Sequence, residues 1–155
     1  HSYDELEFQN LDVEKLHLAW QRLIERHGML RAIVLPDGQQ KILRDVPDYK
    51  IEVLDLSAKA PDEVELQIKA IRQRMSHQIF KTHEWPLFEL RATLLDQQVA
   101  RLHLSTDALT FDAWSFIVIL KELSQLLDDP NAFGSSVLSV LNLLKNKFET
   151  LAWLR

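Results

Sequence analysis

Stretches in which apolar residues recur at every second position alternate along this chain with stretches in which they recur at every third or fourth. Leu6 and Phe8 alternate with Glu5 and Glu7, which predicts a first strand with one polar face. Asp12 then offers a carboxylate to the free amides of a helical turn. Val13, Leu16, Trp20, Leu23 and Ile24 fall on one face of the helix it would cap. Gly28 suits a helix end that needs a left-handed residue. Residues 29–35 read as a strand, Pro36-Asp37-Gly38 as a turn, and residues 40–43 as its hairpin partner.

Ile51, Val53 and Leu54 mark a short strand, followed by a loop over residues 57–60. Pro61 opens a helix where its missing amide costs nothing, with Asp62 and Glu63 in the first turn. Val64, Ile68, Ile71, Met75 and Ile79 form the stripe expected to be buried. Trp85-Pro86-Leu87-Phe88 introduces a strand over residues 88–95, and Asp96-Gln97-Gln98 turns the chain into an antiparallel partner.

That partner strand leads into RLHLSTDALTFDAWS, residues 101–115, the stretch that looks most like chemistry. Leu102 and Leu104 alternate with His103 and Ser105, the pattern of a strand with one buried face, and Asp107 would emerge on the His103 face as the strand ends. Asp112 follows, then Trp114, Ser115 and an apolar helical run to about Leu127, with Ile117, Val118, Glu122 and Leu126 at helical intervals; Asp128-Asp129-Pro130 stops it. Two carboxylates on one strand-to-helix connection admit two readings. They form a general acid/base pair if burial splits their pKa values, or they are a helix cap and an ion-pair member. A serine-hydrolase role for Ser115 fails for want of nucleophile-elbow glycines around it.

The 155 residues suffice for one domain with a core, and a net charge of −5 with interspersed signs argues against a nucleic-acid partner. With no cysteine there is no disulfide framework, thiol nucleophile or thiolate metal site. His77 and His83 have no further ligands at metal spacing and read as surface or capping residues, so no metal is expected. No apolar run reaches membrane-spanning length and no signal peptide opens the chain, which together predict a soluble, cytoplasmic protein with no membrane partner. The start at His1-Ser2-Tyr3 reads as a piece of something larger.

Three blocks carry a resemblance. Asp107-x-x-x-x-Asp112-x-x-Ser115 resembles the DxxxxDxxS signature of heterocyclization domains in nonribosomal peptide synthetases, a branch of the condensation-domain superfamily whose ordinary members carry HHxxxDG there. In that register Ala108 takes the place of the second histidine and cannot move a proton. Arg26-His27-Gly28-Met29-Leu30-Arg31 resembles the RHxxLR motif, and WPLFELRA at residues 85–92 also matches superfamily usage. The resemblance covers roughly residues 1–130 and implies an α+β fold, the N-terminal lobe of a chloramphenicol acetyltransferase-like architecture: a mixed sheet with helices on one side. It further implies that Asp112 pairs with Arg31 to hold the loop and that Asp107 shapes the floor of a catalytic site. The implied partners are neighbouring synthetase domains and carrier proteins bearing phosphopantetheine, with no cofactor bound directly. The family's chemistry condenses a peptidyl or aryl thioester with cysteine, serine or threonine, then cyclodehydrates the product to a thiazoline or oxazoline.

The resemblance stops after Pro130. Residues 131–136, with Gly134-Ser135-Ser136, read as a flexible joint, native or an engineered junction, and residues 137–155 as an amphipathic helix. Val137, Leu141, Leu144, Phe148 and Leu151 repeat at four-three-four-three, a heptad seam that packs on its own lobe, dimerises or docks on a neighbouring domain. Two functions follow. One is a truncated heterocyclization-like domain of a peptide-synthetase or hybrid polyketide-synthase line, noncatalytic alone and kept as a structural or dimerisation element. The other is the N-terminal half of an active heterocyclization domain. The first is favoured.

Overall fold

The computed structural model describes residues 1–96 and 98–131. The elements run β1 (Ser2–Gln9), α1 (Val13–Arg26), a 3-10 turn (Gly28–Arg31), β2 (Ala32–Val34), β3 (Gln40–Ile42), β4 (Glu52–Asp55), α2 (Pro61–Ser76), β5 (Phe88–Leu94), β6 (Val99–Thr106) and α3 (Ala113–Asp128). The main sheet has the order β1-β6-β5-β4, with β1 and β5 antiparallel to β6 and β4 parallel to β5; β2 and β3 form a separate hairpin. The expected α+β class and mixed sheet are what the chain adopts.

The helices do not all lie on one side. Parallel strands need a crossover, and α2 is the crossover between β4 and β5. Its buried residues, Ile68, Ile71 and Met75, sit over one face of the sheet, where Ser105 Oγ donates to the Met75 carbonyl and Arg72 and Arg74 pair with Glu5 and Glu89. The opposite face, with Leu90, Ala92, Leu102 and Leu104, carries the main core against Leu16, Trp20 and Leu23 of α1 and Ile119, Leu123 and Leu126 of α3. Strand β6 is therefore buried on both faces, not one, and His103 and Ser105 are as inaccessible as Leu102.

Local chemistry explains the boundaries. The Asp12 carboxylate accepts from the Glu14 and Lys15 amides at the start of α1, and Pro61 begins α2. At the far end of α1 the cap is His27, in extended conformation; Gly28 is not left-handed but opens the 3-10 turn. Its lack of a side chain serves close approach, since a Cβ there would meet Ile42 Cδ1 at 3.1 Å. That turn also replaces the first half of the strand expected over residues 29–35. Gly38, at φ +83°, does take the left-handed position in the β2–β3 turn. Ile79 lies beyond the end of α2 and is exposed, so the buried stripe stops at Met75. His77 caps α2 through its backbone amide, and both His77 and His83 are exposed.

Candidate functional site

The loop between β6 and α3 is built from its own backbone. Asp107 Oδ1 accepts from the Leu109 amide at 2.9 Å, and the Asp107 carbonyl accepts from the Thr110 and Phe111 amides at 3.1 and 3.0 Å. This turn stops the strand and redirects the chain into α3. Asp112 is the N-cap of α3, its Oδ1 accepting from the Ser115 amide at 2.7 Å. Hydrogen bonds from the Ser115 amide, and then from its hydroxyl, hold the Asp112 carboxyl below the usual carboxylate range. Asp112 is exposed, so the condition for a burial-split acid/base pair, a desolvated carboxyl, is not met at this position.

Arg31 does not reach Asp112. Its Nε donates to the Leu43 carbonyl at 3.1 Å, and its Nη1 donates to the carbonyls of Ile24 and Glu25 at the end of α1. Among the described residues no ion pair joins Arg31 to Asp112. The physical reason is competition: the last carbonyls of a helix are unsatisfied and carry the negative end of its dipole, so they take the guanidinium. Asp112 is meanwhile satisfied by its own helix. In this chain Arg31 staples α1 to the hairpin.

The two motif blocks nevertheless meet. A cleft of about 250 Å³ runs between Arg26, His27, Gly28, Met29 and Leu30 on one wall and Thr110, Phe111, Trp114, Ser115, Val118 and Ile119 on the other. Trp114 and Met29 stand partly exposed at this cleft, giving it an apolar lining beside a polar end. A carboxylate clasp closes that end: Glu122 Oε2, from α3, lies 2.7 Å from His27 Nε2 and 3.1 Å from Arg26 Nε. The WPLF block supports the same wall, since Trp85 Nε1 donates to the Leu30 carbonyl at 2.8 Å. Asp107 and Asp112 themselves do not line the cleft; of the signature residues, Ser115 does. Glu122 was visible in the sequence as a carboxylate on an otherwise apolar helical face, the signal that it needed a cationic partner.

A second polar cluster lies beneath α2. Tyr3 Oη donates to Glu5, so it accepts from His103 Nδ1–H at 2.8 Å, and His103 Nε2 then accepts from Thr93 Oγ1 at 3.1 Å. Burial drives the His103 pKa down to about 4, and the hydrogen bonds from Arg72 bring Glu5 to about 2. Both ring nitrogens of His103 are engaged, which makes it a structural histidine.

The Leu141–Leu144 seam, with Val137, Phe148 and Leu151, lies outside the described residues. Among the described residues no helix is long and apolar enough to cross a membrane.

Comparison with known proteins reaches the same family. The condensation-domain family model matches residues 6–130. Phenyloxazoline synthase MbtB of Mycobacterium tuberculosis is 38% identical over 138 residues, 86% of this chain and 10% of that protein. Bacitracin synthase 1 of Bacillus licheniformis is 35% identical over 126 residues, 81% of this chain and 2% of that protein. The chain thus spans a small fraction of the curated relatives it matches. Among solved structures, the cyclization-docking bidomain of EpoB from Sorangium cellulosum superposes with a TM-score of 0.78 at 35% identity, covering 86% of this chain and 27% of that one. The starter condensation domain of rhizomide synthetase RzmA shares the fold at a TM-score of 0.71 and 17% identity. With its DxxxxDxxS loop and RHxxLR block facing each other across one cleft, the chain belongs to the condensation-domain family, resembles its heterocyclization members, and corresponds to the N-terminal portion of their fold.

Proposed function

We propose that this lobe is noncatalytic by itself and works as a structural half of a heterocyclization-like domain in a nonribosomal peptide synthetase or hybrid polyketide-synthase line. The observation that carries the reading is the cleft: it is walled by the family's two motif blocks, yet the motif carboxylates serve backbone turns, and Asp112 is an exposed cap. Asp107 and Asp112 shape the loop, and the Arg26–His27–Glu122 clasp fixes the width of the cleft between α1 and α3. The lining suits an acyl or aryl group carried as a thioester on the phosphopantetheine arm of a carrier protein. The likeness to a phenyloxazoline synthase and a cyclization bidomain supports that substrate class. A cytoplasmic location is part of this reading.

The test is a titration of the isotope-labelled chain with benzoyl-pantetheine, followed by amide and methyl resonances. The expected result is saturable shifts at Met29, Phe111 and Trp114. Saturable shifts elsewhere, or none, contradict it.

A second reading concerns the tail. The heptad spacing of Val137, Leu141, Leu144, Phe148 and Leu151 supports a homodimer formed through residues 137–155. Light scattering should then give twice the chain mass, reduced to one by Leu144→Asp; a monomer in both sinks the dimer.

A further inference from the structure

The signature loop is anchored in the core by Phe111 but has few hydrogen-bond tethers to the rest of the molecule. Its own bonds are local: Asp107 to the amides of residues 109–111, Asp112 to Ser115. At its start the Asp107 amide donates to the Leu87 carbonyl at 3.0 Å, which belongs to the strand end. Between these anchors Leu109 projects a carbonyl and an apolar side chain outward, and that carbonyl accepts from Gln40 Nε2 at 2.7 Å. Among the described residues this is the side-chain hydrogen bond that reaches residues 108–111 from another element.

Gln40 is well placed for that work. It sits in β3, opposite Val34 of β2, just after the turn fixed by Gly38. The hairpin that carries it is itself tied down at its other end, where Arg31 grips the Leu43 carbonyl and the last carbonyls of α1. Ile42 packs against the bare Cα of Gly28, in the cleft wall. The hairpin therefore bridges both sides of the cleft, by Arg31 to the α1 wall and by Gln40 to the loop that begins the α3 wall.

We propose that the β2–β3 hairpin is a strap that sets the position of the signature loop, and that Gln40 is its positioning residue. The Gln40 amide fixes Leu109, and through it the approach of Thr110 and Phe111 to the cleft. A glutamine is needed there for its donor: a glutamate of the same length presents a carboxylate to a carbonyl, and an alanine presents nothing. A lysine keeps both the reach and the donor. The strap stands on the geometry alone; its bearing on ligand rests on the thioester-binding reading above.

The experiment uses the full 155-residue chain as wild type, Gln40→Ala, Gln40→Glu and Gln40→Lys. Amide hydrogen exchange is followed across residues 107–115 and across β5 and β6, together with benzoyl-pantetheine affinity. Loss of one hydrogen bond should speed exchange at residues 109–111 by about fivefold in Gln40→Ala and Gln40→Glu, with β5 and β6 unchanged and Gln40→Lys near wild type. Affinity should fall by about the same factor in the first two variants and return in the third. Unchanged loop exchange in Gln40→Ala and Gln40→Glu, or Gln40→Lys behaving as Gln40→Ala, overturns the strap. Faster exchange with unchanged affinity overturns the positioning role. A wild-type chain that fails to bind the probe defeats the thioester-binding reading, while the exchange data still decide the strap.

Discussion

His103 and Asp107 lie four residues apart on the one stretch of the sequence that looks most like chemistry. The structure treats them oppositely. His103 is buried under α2 with both ring nitrogens engaged, whereas Asp107 sits where the strand opens and spends its carboxylate on a turn. The contrast extends to the two faces of β6. One face holds the sheet to α1 and α3 by apolar packing, and the other holds it to α2 through Tyr3, Glu5, Arg72 and His103. Burial without access makes scaffold, and access without burial makes shape. The cleft lies on the side of the sheet where the apolar face carries α1 and α3, between the end of α1 and the start of α3.

The largest break in this contrast should come on the apolar face. Trp20 is fully buried and meets Phe88 edge-on at a centroid distance of 5.4 Å. Trp20→Ala should cost about 3–5 kcal/mol in urea denaturation. A loss under 1 kcal/mol would mean that α1 is not held by this core.

The polar face should break with acid. Folded His103 stays neutral down to about pH 4, whereas an unfolded histidine takes its proton near 6.5. The unfolded chain therefore binds more protons between those values. Stability is full above 6.5 and falls as pH drops toward 4, by roughly 2 kcal/mol after solvent screening. Glu5 adds its own loss only below its ordinary range, as pH falls toward about 2. His103→Leu should flatten the profile between pH 6.5 and 4; a slope that persists in this variant assigns the titration to another group.

Smaller effects should follow where the two faces end. Glu122→Ala removes a carboxylate partner of Arg26 and His27 and should cost about 1.5 kcal/mol, read by thermal unfolding above pH 7. Asp112→Ala should cost about 1 kcal/mol, with Asp112→Asn within a few tenths of wild type because asparagine also caps. An Asp112→Asn variant as damaged as Asp112→Ala would mean the charge matters beyond the cap.

Much of the fold was legible because its signals are local. Asp12 and Pro61 mark helix starts by their own chemistry, and the alternation at residues 5–8 and 102–105 marks strands. What escaped was set by tertiary context. Alternation of Leu with His and Ser cannot reveal that a crossover helix covers the polar side, so β6 looked half-exposed. Gly28 resembled a left-handed cap until Ile42 showed that it is needed for space. The resemblance pairs Arg31 with Asp112, but the carbonyl end of α1 lies where its guanidinium goes. The motif blocks were readable as words. That they face each other across a cleft, clasped by Glu122 and strapped by Gln40, required the folded chain.

On the function proposed above, this lobe shapes a site without catalysing by itself. The direct measurement presents the 155-residue chain with an aryl thioester on one carrier protein and a cysteinyl, seryl or threonyl thioester on a second, and follows products by mass spectrometry. No amide and no thiazoline or oxazoline should form above the uncatalysed background. Turnover by the chain alone, lost in Asp107→Ala or Asp112→Ala, would contradict it and make those carboxylates catalytic.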